Sequence, residues 1–447
     1  LNEHLEKVLA RARRKNTEFA VLFLDFDNFK LINDTIGHHA ADALLKKLAD
    51  SLSELIRSED LLAQYAEQEM DLEATISMEP VTDSVLSRLG GDEFVILLPE
   101  TRDRFASGNV AGRILKHLEQ PVRTEDTDVV VTASIGIATY PEDGQTAEAL
   151  IRNADTAMYH AKQKGRAGYQ YYSAAMNAAS VERLALESGL RRALDEGHLE
   201  LLYQPQVDMR SGGIIGAEAL LRWKHPQRGY IPPSSFIPVA EDTGLILQIG
   251  EWVLTQACRQ AVAWGRSGLP AIKIGVNVSG VQFKRQELRE VLGRVFRATG
   301  ADPCMLDLEI TETAIMSVRD RAVEQLEQLR LLGVSLSLDD FGTGYSSLSY
   351  LKRFPISMVK IDRSFTAEVL TDPVAGSIVE AIVSMTRILG LRSMVEGVED
   401  RDQFELLRRL GCDAAQGFYF CRPVPAEQFA RLLEAEVSRG HVLAAER

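Results

Sequence analysis

Several features that would assign this chain to a special class are scarce or missing. Only four cysteines occur among 447 residues, and none forms a Cys-x-x-Cys pair. We therefore expect reduced thiols rather than a disulfide framework. No apolar run reaches the ~20 residues that cross a bilayer, and no secretory signal is visible. These absences predict a cytoplasmic protein.

Basic residues are also in the minority. The 50 Lys and Arg against 64 Asp and Glu give a net charge of −14, which argues against a nucleic-acid partner. The length predicts two domains. The chain begins at Leu1 within a predicted helix, so we expect a longer protein with an upstream sensor domain and a possible membrane anchor.

The first half, residues 1–175, alternates strand and helix patterns. Residues 19–25 are an apolar run of strand length that ends in a carboxylate, and a helical pattern follows from about Asn28 to Ile56. Gly90-Gly91 separates two further strand patterns, as in a β-hairpin. This order predicts an α+β domain with a central antiparallel sheet and flanking helices.

Residues 61–84 interrupt that alternation with six acidic residues and no Lys or Arg. A solvated insertion loop explains this composition, and a regulatory or interface element is the alternative. A charged amphipathic helix over residues 176–197 is expected to link the two domains.

Residues 198–447 repeat a strand-then-helix unit eight times, which predicts a TIM-type (β/α)8 barrel. Reactive groups of such barrels lie at the carboxyl ends of the strands. Polar residues recur at the predicted strand ends: Gln204, Glu218, Arg222, Asn277, Glu309, Asp339, Asp340, Lys360, Glu396 and Gln416. A single strand-end carboxylate is usually a helix cap. Five that converge predict bound Mg2+ or Mn2+ and two-metal phosphodiester hydrolysis, with the Arg222 guanidinium on a phosphate.

The motifs Glu218-Ala219-Leu220, Asn277-Val278-Ser279, Glu309-Ile310-Thr311-Glu312, Asp339-Asp340-Phe341-Gly342 and Glu396-Gly397-Val398-Glu399 resemble the EAL family of cyclic di-GMP phosphodiesterases. The resemblance implies hydrolysis of cyclic di-GMP to linear pGpG at a two-metal centre. It implies these metal ligands: Glu218, Asn277, Glu309, Asp339 and Asp340. Lys360 would position the nucleophilic water, and Glu396 would act as a base or metal-linked carboxylate. Gln204 and Gln416 would contact substrate, and Glu312 would anchor the Asp339–Ser347 loop.

Asp25 and the hairpin acids Asp92-Glu93 would form a second carboxylate cluster if their strands pair; a surface hairpin with incidental acids is the alternative. Asp25-Phe26-Asp27-Asn28-Phe29-Lys30 and Gly90-Gly91-Asp92-Glu93-Phe94 resemble a GGDEF diguanylate cyclase domain. By that resemblance Asp25 and Asp92 bind Mg2+ with GTP, and Glu93 serves the attacking hydroxyl. Asn33 and Asp42 would read guanine, and the phosphates would be held by Lys30, Lys162 and Arg166.

One departure affects the predicted cyclase. The family's Arg-x-x-Asp inhibitory motif normally lies just before Gly-Gly, but here Arg57-Ser58-Glu59-Asp60 lies on the far side of the acidic insertion. Synthesis by that family needs two such domains face to face, so we expect a homodimer. Two alternatives to a phosphodiesterase with a GTP-binding GGDEF domain stay open: a bifunctional protein with net synthesis, and a receptor for cyclic di-GMP and GTP without turnover.

Overall fold

The computed structural model describes residues 1–68, 84–99, 104–124, 128–342 and 351–439, although in helices it leaves undescribed the side chains of 57–68, 104, 319–320 and 438–439. Two compact units result, Leu1–Leu184 and Ala185–Arg447. The boundary lies inside a single helix, Ala174–Asp195, which overlaps the predicted linking helix. Among the described residues, no helix combines the length and the apolar character needed to cross a bilayer.

The elements of the first unit alternate much as predicted. In chain order they are α1 (Asn2–Lys15), β1 (Phe19–Phe26), α2 (Phe29–Ile36), α3 (His38–Gln68), β2 (Val85–Gly90), β3 (Glu93–Leu98), α4 (Arg104–Leu118), β4 (Val122–Arg123), β5 (Asp128–Val129), β6 (Ala133–Tyr140), α5 (Ala147–Gln163), β7 (Gly168–Tyr171) and α6 (Ala174–Asp195).

The predicted helix over 28–56 is two helices, because Gly37 separates them at φ 82°. The second extends to Gln68, into the segment that was predicted to be an insertion loop. Residues 69–83 of that segment lie outside the described residues.

The main sheet of this unit has the order β2-β3-β1-β6-β7, antiparallel except for the β6–β7 pair. Helices cover both faces, so β1 is buried along its whole length. Leu22 and Leu24 face the core shared with α3 and α4, whereas Val21 and Phe23 face the core shared with α1 and α5. This two-sided burial explains why β1 is a continuous apolar run instead of an alternating one.

The second unit contains the predicted barrel. Its elements are β8 (Leu199–Asp208), β9 (Ile214–His225), β10 (Gly229–Ile231), α7 (Pro233–Thr243), α8 (Ile246–Arg266), β11 (Lys273–Val278), α9 (Gly280–Arg285), α10 (Leu288–Thr299), β12 (Leu306–Thr311), α11 (Glu312–Met316), α12 (Arg319–Leu331), β13 (Ser335–Phe341), β14 (Met358–Ile361), α13 (Arg363–Glu368), α14 (Pro373–Leu389), β15 (Arg392–Val395), α15 (Arg401–Leu410), β16 (Ala414–Ala415) and α16 (Ala426–Arg439).

The barrel closes through pairing of β8 with both β9 and β16. Neighbouring strands from β11 to β16 are parallel, but β8 is antiparallel to both of its partners. Only five residues, 209–213, connect β8 to β9, and a parallel crossover would need a dozen or more. Because β9, β11, β12, β13, β14 and β15 run in one direction, their polar residues gather at one mouth of the barrel.

Candidate active site

An ammonium group surrounded by carboxylates lies at the barrel mouth. Lys360 Nζ lies 2.7 Å from Glu309 Oε2, 2.6 Å from Glu396 Oε1, 3.5 Å from Asp339 Oδ1 and 3.9 Å from Glu218 Oε2. The Lys360 side chain is only 1% exposed. Strand pairing builds the group, because β14 carries Lys360 between β13, with Asp339, and β15, which leads directly to Glu396.

Burial and mutual repulsion shift the proton affinities of this cluster. Burial raises the pKa of Glu309 well above its usual range, and Glu218 and Asp339 raise it further against the attraction of Lys360. Burial likewise raises the pKa of Glu396 to about 8. Burial would lower the pKa of Lys360, but the four carboxylates together hold it well above its ordinary value. The ammonium therefore stays charged and partly neutralises the cluster.

Asp339 and Asp340 both face this mouth, although neighbours in a regular strand point to opposite sides. The β13–β14 register is irregular between Leu338 and Phe341, and Asp340 has φ 52°. This irregularity brings carboxylate oxygens of Asp339, Asp340 and Glu396 within 4.8 Å of one another. A left-handed conformation at a non-glycine residue is costly and recurs at functional sites.

Amide side chains orient Glu218 from two sides. Asn277 Nδ2 donates to Glu218 Oε1 at 2.6 Å, and Gln416 Nε2 donates to Glu218 Oε2 at 2.5 Å. Gln416 Nε2 also donates to Gln204 Oε1 at 3.0 Å. Since the Asn277 nitrogen is occupied by Glu218, the Asn277 amide oxygen is the atom that can ligate a cation. Two residues of the predicted site, Asn277 and Gln416, thus bond directly to Glu218, and Gln204 is linked to it through Gln416.

The donor set fits divalent cations. Five carboxylates surround one ammonium, so the cluster with all five ionised would carry four negative charges, which two divalent cations would balance. Asp339 Oδ1 is buried and accepts no hydrogen bond from the described residues. Carboxylate and amide oxygens are the ligands that Mg2+ and Mn2+ prefer. The residues present therefore fit a site for divalent cations.

The remaining predicted barrel residues lie around this cluster. Arg222 follows Glu218 by four residues on β9, on the same side of the strand, and burial lowers the pKa of its guanidinium while Glu218 raises it. Glu312 is buried at the start of α11, and its Oε2 has no hydrogen-bond partner among the described residues. Glu312 was predicted to anchor the Asp339–Ser347 loop, but residues 343–347 of that loop lie outside the described residues.

Sequence reasoning missed Gln206, which is buried and donates from Nε2 to Glu309 Oε1 at 3.1 Å. The two-residue period of a strand could have indicated it, because Gln204 and Gln206 are two residues apart on β8 and their side chains therefore share a face of the strand.

The first unit brings its predicted acidic residues together. Asp25 on β1 is directly opposite Glu93 on β3, and Phe26 N donates to Asp92 O. Lys162 Nζ lies 2.7 Å from Asp25 Oδ1. Burial raises the pKa of Asp25, Lys162 opposes that shift, and Asp92 and Glu93 add to it. Asp25 is buried, at 7% exposure, so its carboxylate is not a surface acid.

The other predicted residues of this unit lie on the adjoining helices and turn. Asn33 and Lys30 are on α2, Asp42 is on α3, and Arg166 lies in the α5–β7 turn at φ 62°. Sequence reasoning gave no role to Asp27. Its buried carboxylate accepts hydrogen bonds from Thr132, Ser134 and the Ala167 backbone, and it thereby holds this turn.

The two units match two family models. The EAL domain model matches residues 187–423, and the diguanylate cyclase GGDEF domain model matches residues 1–75 and 74–168. The bifunctional diguanylate cyclase/cyclic di-GMP phosphodiesterase MucR of Pseudomonas aeruginosa is 45% identical over 96% of this chain and 59% of its own length. The cyclic di-GMP phosphodiesterase PdeR of Escherichia coli is 37% identical over 95% of this chain and 60% of its own length. The chain thus spans about 60% of each relative.

Solved structures agree with the barrel assignment. The PaMucR phosphodiesterase in complex with cyclic di-GMP is 49% identical, with a TM-score of 0.54, over 55% of this chain and 99% of that chain. The EAL enzyme Bd1971, with cAMP and cyclic di-GMP bound, is 27% identical, with a TM-score of 0.55, over 68% of this chain and 82% of that chain. With the matching motifs and barrel, these likenesses show that the chain belongs to the EAL family and carries a GGDEF domain in tandem before its EAL domain.

Proposed function

We propose that this protein hydrolyses cyclic di-GMP to linear pGpG at the barrel mouth. The observation that carries the proposal is the buried Lys360 ammonium in contact with Glu218, Glu309, Asp339 and Glu396. The names of the relatives MucR and PdeR, and the cyclic di-GMP complex of PaMucR, support this substrate.

Each side chain of the site would have a role in hydrolysis that follows from its chemistry. Glu218, Asn277, Glu309, Asp339 and Asp340 would hold two divalent ions, which supply an activated water and neutralise charge on the leaving oxygen. Lys360 donates hydrogen bonds and would orient the nucleophilic water. Glu396, whose Oε1 lies 2.6 Å from Lys360 Nζ, would accept the proton of that water. Arg222 would hold a phosphate through its forked donors, while Gln204, Gln416 and Glu312 would support the substrate pocket.

The test is incubation of the purified chain with cyclic di-GMP and Mg2+ or Mn2+, with product identification by chromatography and mass spectrometry. We expect linear pGpG from the unaltered chain and none from Glu396→Ala. The matched control is Asp208→Asn, which removes a carboxylate at the carboxyl end of β8. Because β8 is antiparallel to its neighbours, this residue lies at the end of the barrel away from the candidate site. Absence of pGpG from the unaltered chain, with either metal, would refute the proposal.

For the first unit we propose binding of GTP with Mg2+. Asp25 and Asp92 would hold the ion, Lys30, Lys162 and Arg166 the phosphates, and Asn33 and Asp42 the guanine. The pairing of Asp25 with Glu93 supports this site. Equilibrium binding of GTP should weaken strongly in Asp25→Ala and be unchanged in Glu148→Ala, which removes an exposed carboxylate in the first turn of α5, at the other end of that helix from Lys162.

Synthesis of cyclic di-GMP is the second candidate function, favoured by the bifunctional name of the 45% identical MucR. It would require two GGDEF domains face to face, with Glu93 serving the 3′-hydroxyl, and hence a homodimer. GTP incubation of a Glu218→Ala chain tests it, because the product then persists; no cyclic di-GMP would leave GTP binding as the unit's role. The incubations with cyclic di-GMP and with GTP also test the remaining alternative, a receptor without turnover, which would form neither pGpG nor cyclic di-GMP.

A further inference from the structure

Both oxygens of the Glu309 carboxylate are engaged by the chain itself. Lys360 Nζ contacts Oε2 at 2.7 Å, and Gln206 Nε2 donates to Oε1 at 3.1 Å. Gln206 and Glu309 are both buried, at 6% and 1% exposure. A carboxylate that is fixed at each oxygen by a different donor keeps one orientation, and it presents a defined oxygen to the neighbouring acids.

The Gln206 side chain extends across two strands of the barrel. Gln206 is on β8 and its partner Glu309 is on β12, and the strands between them, β9 and β11, each carry a glycine beside the Gln206 side chain. A Cβ on Gly216 would lie 2.6 Å from Gln206 Oε1. A Cβ on Gly275 would overlap the Glu309 carboxylate and lie 3.4 Å from Gln206 Nε2. Two glycines thus leave the space in which this hydrogen bond forms.

We propose that Gln206 is a positioning residue that sets the orientation of the Glu309 carboxylate in the metal-binding cluster. Gly216 and Gly275 leave the room that the Gln206 side chain needs to reach Glu309. This inference rests on the proposed metal centre. With Oε1 held by Gln206, Glu309 would present Oε2, the oxygen that also contacts Lys360, to a bound ion. Partners of this kind, behind the ligands, set ligand geometry, and their loss typically weakens metal affinity or activity 10- to 100-fold.

Substitution of Gln206 by leucine keeps the volume and removes the donor. We expect the dissociation constant for Mn2+, measured by calorimetric titration without substrate, to rise by roughly 10- to 100-fold. Gln206→Asn should be affected in the same way, because its amide is one methylene too short to reach Glu309. A purely structural role would lower the melting temperature but leave the Mn2+ affinity of the folded protein unchanged.

A second variant keeps the test decisive if the leucine variant does not fold. Gly216→Ala pushes on the Gln206 amide, so it should weaken Mn2+ binding in a chain that keeps Gln206. In a Gln206→Ala background the new Cβ still lies 3.1 Å from the Lys273 carbonyl oxygen, but the same change should have little further effect on Mn2+ affinity, because the displaced amide is gone. Gly265→Ala, in α8 with open space around its Cβ, is the matched control and should leave Mn2+ affinity and hydrolysis unchanged.

Unchanged Mn2+ affinity in Gln206→Leu, or equal effects of Gly216→Ala in both backgrounds, would overturn the inference. Either result would leave the proposed function standing if the unaltered chain binds Mn2+ and forms pGpG. Failure of the unaltered chain to bind Mn2+ or form pGpG would instead refute the proposed function, so the two failures are distinguishable.

Discussion

At the scale of single residues, Lys360 is the most informative side chain in the barrel. It is buried, and its ammonium lies within 4 Å of four carboxylates that approach from different strands. Sequence reasoning could place these residue types at strand ends. It could not show that one lysine would stand among all four, because that depends on strand order and register.

Replacement of Lys360 by methionine should abolish most hydrolysis and destabilise the metal-free protein. The loss of one partner leaves buried carboxylates without their counter-charge, a change that typically costs ~3–5 kcal/mol. Saturating Mg2+ should recover much of the lost melting temperature, because the ions supply positive charge to the same acids. The measurements are turnover and thermal unfolding with EDTA or Mg2+; an unchanged melting temperature in EDTA would contradict the expectation. The control is Lys273→Met, which removes an exposed lysine that bonds Ser335.

The buried cysteines give a prediction that depends on pH. Burial raises the pKa of Cys258 to about 12, and that of Cys412 also to about 12. Only the thiolate reacts. The hydrogen bond with Asp302 raises the pKa of Cys304 as well, but this thiol is exposed, so iodoacetamide at pH 8 should modify it and spare both buried thiols until the chain unfolds. Peptide mapping measures this, and rapid labelling of Cys258 in folded protein would contradict it.

The same pKa shifts fix the sign of a stability change. Unfolded thiols ionise near pH 8.5, whereas the folded ones hold their protons to about pH 12. Above pH 8.5 the unfolded state binds fewer protons than the folded state, so these thiols lower the free energy of unfolding as pH rises towards 12.

At the scale of elements, close packing in the first unit depends on one glycine. Gly136 lies in the middle of β6, and a Cβ there would overlap the backbone of Ala154 and Met158 in α5. The strand pattern alone gave no reason for this glycine, because the reason is the distance to a helix that packs on the sheet.

Gly136→Ala should therefore destabilise the first unit by several kcal/mol, beyond the usual range of overpacking, since backbone atoms cannot move aside easily. Gly112→Ala is the matched control, in α4 with open space around its Cβ, and should be neutral or stabilising by up to ~1 kcal/mol. Chemical denaturation followed by circular dichroism compares the two; equal midpoints for both variants would count against the close contact.

At the scale of the whole molecule, the chain has two units with separate hydrophobic cores. We expect two calorimetric transitions. Mn2+ should raise the barrel transition through the carboxylate cluster, because binding to the folded state alone stabilises that state. Gly136→Ala should lower only the transition of the first unit. A single transition that moves with both changes would show that the two units unfold cooperatively.

The sequence alone determined most of the strands and helices and which residue types lie at strand ends, although it predicted one helix over 28–56 where two form. Apolar periodicity, glycine turns and strand-end carboxylates are local, so the barrel, the α+β domain and the acidic cluster could all be predicted.

Only the tertiary structure decided how these residues meet. The irregular register at Asp340 turns two successive carboxylates to one side. Gln206 contacts a glutamate 103 residues away, and Gln416 contacts Glu218 across 198 residues. Such contacts follow from barrel closure and from the space left by glycines, which no short stretch of sequence encodes.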